Sequence, residues 1–168
     1  MRVPRIVPAV LLVASMGMLG GCAQIAGLLD GAKPQATRDA DSGEVTGKGE
    51  IDVFTLSVGD CLSDTGTAEE VYDVPVVPCD EPHDYEVYYD FSLPDADWSE
   101  DDVYAGAEDG CYNEFAGFVG LSYEESVLDF SYYAPTQDSW EQGDDRIVSC
   151  FVGDPSTQTT GSLAGVAR

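Results

Sequence analysis

The 168-residue chain suits one domain behind a targeting segment. It carries 32 Asp and Glu against seven Lys and Arg, a formal charge of −25. Such a surface repels nucleic-acid phosphates and anionic headgroups, which excludes nucleic acid as a partner and favours cationic partners, weakly held divalent ions or plain solubility.

Arg2 and Arg5 precede an almost wholly apolar run from Ile6 to Leu19, followed by Gly20, Gly21 and Cys22. A charged start, a short apolar core and small residues at a cut site make a secretory signal. The run falls short of the roughly 20 residues that span a bilayer. Leu19-Gly20-Gly21-Cys22 resembles a lipobox, in which small residues admit the peptidase and the thiol takes the lipid. The expected product is a lipoprotein cut before Cys22 and held by a diacylated Cys22 on the outer face of the cell membrane. Residues 1–21 are the signal peptide on this reading. Residues 22–52, rich in Gly, Ala, Asp, Ser and Thr, read as a flexible tether. The domain is expected over 53–153 and a second flexible segment over 154–168.

Within that domain 25 acids face one cation, Arg146, and one histidine, His83, yet apolar and aromatic residues are too abundant for an acidic disordered tract. Val53–Val58 alternates and reads as a strand or short extended entry before Gly59-Asp60. Val74–Val77 is a brief apolar run. Asp84–Leu93 alternates, placing Tyr85, Val87, Tyr89, Phe91 and Leu93 on one face. Ser99 reads as a helix N-cap, with Glu100, Asp101 and Asp102 in the first turn, where the helix dipole favours anions. Tyr104, Ala107, Cys111, Phe115 and Phe118 then follow at helical spacing, and Gly120 is a natural stop. Gly106, Gly110 and Gly117 each weaken that helix by about 1 kcal/mol against Ala, so tertiary packing must hold it. Val127–Ala134 alternates with Leu128, Phe130 and Tyr132 on one side. Thr136–Trp140 reads as a single helical turn. Arg146–Val152 reads as a last strand with Val148, Cys150 and Val152 on one face. The expected fold is α+β: a small antiparallel sheet of four to five strands packed on one helix, with two disulfides.

The disulfides follow from cysteine arithmetic. With Cys22 lipidated, Cys61, Cys79, Cys111 and Cys150 remain, an even number in an exported chain. Zinc prefers closely spaced pairs, which these are not. Of the three possible pairings, Cys61–Cys79 and Cys111–Cys150 are expected: the first closes a local loop, and the second clips the helix to the last strand.

Gly59-Asp60-Cys61-Leu62, the run from Val76 to Val87 that holds Cys79, Pro82 and His83, helical Cys111, Tyr133-Ala134-Pro135-Thr136, Trp140, Gly143-Asp144, Arg146 and Cys150 together resemble the septum formation domain family of Gram-positive envelope proteins. The likeness covers about residues 56–152. Asp145 departs from it, standing between Asp144 and Arg146 where the family reads Gly-Asp-Arg. The resemblance implies an envelope-side domain associated with the division septum.

The most chemical-looking stretch is Asp80-Glu81-Pro82-His83-Asp84, where a histidine beside carboxylates can bind metal or shuttle protons. The competing reading is a turn, stiffened by Pro82, with His83 bonded to backbone. Asp95, Asp97, Ser99 and Asp101 fail the EF-hand pattern, since Glu100 and Gly106 occupy the positions that need Gly and Glu. Tyr88, Tyr89, Tyr132 and Tyr133 are expected in core and cross-strand pairs rather than in a binding face. Trp140, Asp144 and Arg146 complete the candidate motif, with Arg146 expected to fork onto carboxylates or carbonyls. The function expected is that of a non-enzymatic binding or scaffolding module, without a cofactor, whose partner is an envelope protein or wall component. The alternative is a wall hydrolase or metal-dependent enzyme built on His83 with Asp80, Glu81 or Asp84.

Overall fold

The computed structural model describes residues 33–64 and 70–168, so Cys22 and the expected signal segment lie outside the described residues. The strands are β1 Thr37–Arg38, β2 Val45–Gly47, β3 Gly49–Asp52, β4 Cys61–Leu62, β5 Asp73–Val77, β6 Tyr85–Ser92, β7 Asp129–Tyr133 and β8 Ile147–Gly153. The helices are α1 Glu100–Val119 and α2 Gln137–Gly143. Strands β1 and β2 pair alone, and the other six form one antiparallel sheet in the order β3-β5-β4-β6-β8-β7. The fold is α+β with two disulfides, but the sheet has six strands rather than four or five, and another, short helix joins the long one.

Local chemistry shapes α1. Ser99 accepts from the Asp102 amide at 3.4 Å, and Gly120 takes the left-handed conformation (φ 82°) that ends the helix. Val103, Ala107, Cys111, Phe115 and Val119 are its buried face. That face begins at Val103; Tyr104 is about half exposed. Gly106 and Gly110 exist for packing: a Cβ would meet Leu93 at 2.8 Å and the Phe91 ring at 2.1 Å. Nothing in the structure explains Gly117, whose Cβ would meet open space.

Two apolar clusters flank the sheet. One holds the α1 face with Tyr88, Leu93, Leu128, Trp140, Val148, Cys150 and Val152. The other holds Val45, Ile51, Leu56, Leu62, Val74, Val76, Val87 and Phe151. Strand β6 serves both, because its pairing with β8 slips between Val87 and Tyr89. Tyr85 and Val87 therefore join Phe151, while Tyr89, Phe91 and Leu93 pack on the helix side. The expected single face from Tyr85 to Leu93 is thus broken by a bulge, which re-aims the side chains after it. Tyr88, at the slip, reaches the helix and donates to the Cys111 carbonyl at 2.6 Å.

Three other expectations are overturned. Residues 53–55 form a 3₁₀ turn rather than a strand, with Asp52 capping Phe54 N–H. The strand lies just before it, as β3, paired with β5 from Gly49 opposite Val76 to Asp52 opposite Asp73. The segment 33–52 is therefore part of the domain and not tether: Val45 and Ile51 are buried, and Gly49 lies so close to Pro34–Ala36 backbone that a Cβ would clash at 2.3 Å. Arg38 from β1 forks both guanidinium nitrogens onto buried Asp60, at 2.6 and 2.7 Å. Residues 154–168 are likewise folded onto the domain as a strap. Its bonds run from the Cys79 carbonyl (Gly161 N–H, 2.7 Å) to the end of α1 (Gly165 N–H to Phe118 carbonyl, 2.7 Å), and Leu163 is buried.

The disulfides join Cys61 to Cys79 and Cys111 to Cys150. The Cys111–Cys150 bridge ties the middle of α1 to the middle of β8.

Candidate functional site

The Asp80–Asp84 turn does not gather its charges. His83 is fully buried; its Nδ1 lies 2.9 Å from the Glu81 carbonyl, and its backbone pairs with Thr159 of the strap in both directions, at 3.0 and 2.8 Å. Asp80 and Glu81 are exposed, and half-buried Asp84 takes a bond from Gln158 at 3.2 Å. Glu86, two residues beyond Asp84 on β6, is the buried carboxylate of this region. It accepts from Ser162 Oγ at 2.8 Å and from the Leu163 amide at 2.5 Å. His83 Nε2 and Thr159 Oγ1 are buried without hydrogen-bond partners. Among the described residues no group of three or more His, Cys, Asp and Glu side chains is arranged to hold a metal ion.

Trp140, Asp144 and Arg146 do come together. The Arg146 guanidinium stacks 3.8 Å above the Trp140 ring and donates to the Trp140 and Asp145 carbonyls at 3.0 and 2.8 Å. Its other arm reaches Asp95 at 3.0 Å and Asp144 at 3.5 Å, both almost fully exposed. Trp140 donates to the Ala96 carbonyl at 3.0 Å and meets Trp98 edge-on. Asp144 ends α2 in the left-handed conformation. Asp145, the residue that departs from the family pattern, has its own bonds. Its carboxylate accepts from Ser139 Oγ and the Ile147 amide, both at 3.0 Å, locking α2 to β8. No residue of the Asp80–Asp84 turn takes part in these contacts. The stacked guanidinium and its carbonyl bonds make a structural knot.

The open site lies elsewhere, on the Phe151 face of the sheet. A cleft of about 570 Å³ runs between the turn after β3, the segment before β5, edge strand β7 and the start of α2. Phe54 and Tyr72 stand on one side of it; Tyr132, Tyr133 and Ile147 come from β7 and β8. Eight large apolar side chains are exposed among the described residues, and four of them, Phe54, Tyr72, Tyr104 and Ile147, line this one cleft. Scattered exposed apolar residues need no explanation, but a cluster marks an interaction site. The floor is packed: the Tyr133 and Phe151 rings lie 4.9 Å apart, and burial pushes the Tyr133 phenol up to about 12, with the Asp64 charge adding to it.

The rim is acidic. Glu70, Asp138 and Asp145 line the cleft, and its described lining contains no Lys or Arg. Tyr72 donates to Glu70 at 2.9 Å. That bond holds the phenol above its ordinary range, and the charge of Asp138, across the cleft, adds to the effect. Sequence reasoning missed Phe54 and Tyr72. Phe54 sits in a segment whose alternation reads as a strand or extended entry but which turns as a 3₁₀ helix. Tyr72 is a lone aromatic in an acidic stretch, and that isolation was the available signal.

The architecture and the site define a disulfide-stapled α+β domain with a sealed histidine and an open aromatic cleft. Residues 30–150 match the septum formation family, and the chain belongs to it. The match begins well before residue 53, in keeping with β1–β3 as part of the domain. No curated protein and no solved structure matches the chain.

Proposed function

We propose that this chain is a binding or scaffolding module, lipid-anchored through Cys22 on the outer face of the cell membrane, that serves septum or wall assembly without catalysing a reaction. The concentration of exposed aromatic and apolar side chains in the β7–α2 cleft carries this reading. Family membership supports the link to septum formation. Two disulfides suit a compartment outside the reducing cytoplasm. Among the described residues no helix is long and apolar enough to cross a membrane, and on this reading attachment comes from Cys22.

The test is replacement of the native gene by two variants. A Phe54→Ala/Tyr72→Ala double variant removes two exposed cleft rings without opening the core. It should accumulate to wild-type levels, melt normally and yet fail to restore septum or wall assembly in cells lacking the protein. Cys22→Ser should release the chain from the membrane fraction or leave it unprocessed. Full complementation by the cleft variant would end the assignment of that cleft as the working surface.

A further inference from the structure

The site takes a definite chemistry. We propose that the cleft receives a basic, extended segment of a partner protein, with a lysine or arginine side chain seated between Tyr72, Glu70 and Asp138. The inference rests on the binding-module reading and names its ligand class.

Three observations select a cation. First, the described lining offers three carboxylates and no positive group. Of the described cations, Arg38 forks onto Asp60 and Arg146 stacks on Trp140, and exposed Lys48, before Val53 in sequence, is not among the lining residues. An anionic ligand would find no counter-charge in that lining. Second, the carboxylates differ in use. Asp145 is held by Ser139 and Ile147 within the fold, whereas Glu70, before β5, and Asp138, on α2, both line the cleft and bond to Tyr72 and Gln142. Both charges act on the Tyr72 phenol, so a cation beside that ring would feel both. Third, the rings present faces. Tyr72 and Phe54 are about two-thirds exposed. An aromatic face attracts a guanidinium or ammonium, and the aliphatic stem of Lys or Arg covers apolar surface while its head stays at the rim. A neutral glycan would use the rings but gain nothing from the carboxylate charges.

The size and the field agree. About 570 Å³ accommodates a few side chains of an extended segment rather than a folded surface. A net charge of −25 draws basic segments in from solution, an effect that salt weakens over about 10 Å at 0.1 M.

The experiment uses the full chain in detergent and a fluorescein-labelled peptide of repeating Lys-Leu-Gly, read by anisotropy. The repeat with Glu in place of Lys is the charge control, and a chitin-type oligosaccharide is the glycan probe. Saturable one-to-one binding of the basic peptide is expected. Tyr72→Ala and Asp138→Asn should each weaken it by about fivefold or more. Asp109→Asn, an exposed acid on α1 outside the cleft, should leave it within about twofold, the change expected of a distant screened charge. Equal losses from Asp109→Asn and Asp138→Asn would mean attraction to bulk charge and would overturn the proposal. Glycan binding that disappears in Tyr72→Ala, without peptide binding, would also overturn it while leaving the cleft as the binding site. If neither probe senses Tyr72 and the double cleft variant complements in cells, the binding-module reading fails as well.

Discussion

The two sides of the molecule treat polar residues in opposite ways. At the strap, His83 and Glu86 are sealed. The histidine meets a carbonyl, and the carboxylate holds the amide of Leu163 and the hydroxyl of Ser162. At the cleft, Glu70 and Asp138 stand exposed beside Tyr72 and Phe54. In sequence, the Asp80–Asp84 stretch with His83 is the most chemical-looking, with a turn as the competing reading, whereas Glu70 and Tyr72 belong to no motif. Reactive residue types therefore do not locate a site. The Glu86 carboxylate and His83 Nδ1 spend their bonds inside the fold, although His83 Nε2 and Thr159 Oγ1 stay unpartnered there, while exposed rings cluster at the cleft without a structural need.

The largest effect expected on the sealed side is loss of the α1–β8 clip. Cys111→Ala/Cys150→Ala should lower stability by about 4 kcal/mol, from the entropy of an open loop with a sequence separation of 39. Urea unfolding of wild type and variant measures it, and a loss below about 1 kcal/mol would show that α1 is held by packing alone.

Glu86→Ala leaves the Leu163 amide buried without its acceptor, at a cost of about 2 kcal/mol. Amide exchange should then speed up across 159–165 and not at β7. Uniform acceleration would mean that the strap is no separate unit.

Arg146 separates stacking from charge. Arg146→Lys should cost about 1–2 kcal/mol, because the planar stack on Trp140 and the forked bonds to two carbonyls are lost. Asp95→Asn should cost less than about 0.5 kcal/mol, since that carboxylate is 90% exposed. Equal effects in denaturant melts would make the ion pair the anchor.

Two tyrosines, Tyr88 on the helix side and Tyr133 at the cleft, give the fold an alkaline signature. Burial raises the Tyr88 and Tyr133 phenols above their ordinary value near 10, Tyr133 to about 12. Both favour the protonated form in the fold, so their contribution is whole below pH about 10 and falls as pH rises through the folded values. Thermal melts from pH 9 to 12 should show that decline, with Tyr133→Phe making it shallower; an unchanged slope would mean that Tyr133 ionises as freely folded as unfolded.

The smallest stability effect belongs to the open side. Tyr72→Ala should stay within about 0.5 kcal/mol of wild type, as exposed substitutions do. A larger loss in the same denaturant assay would make Tyr72 a structural residue and blur the contrast between strap and cleft.

The parts of this protein that local rules govern were legible in the chain. Ser99 and Gly120 bound α1 because capping and left-handed glycine are short-range chemistry. Strands β6, β7 and β8 were readable from alternation, and the even count of cysteines after Cys22 pointed to two disulfides. The Trp140, Asp144 and Arg146 cluster could be suspected, because Arg146 is the single cation within 53–153. Long-range packing settled the rest. Strands β1–β3 carry little more than Val45 and Ile51 as buried apolar residues, and they form because β5 and Asp60 wait for them far along the chain. The strap has a linker's composition until Glu86 and Cys79 supply its bonds. The slip at Tyr88 splits one alternating strand between two cores. The cleft joins Tyr72 to Asp138 across 66 positions of sequence. Each of these depends on partners that no local window contains, and burial, which decides whether a polar side chain is structural or available, is a property of the folded whole.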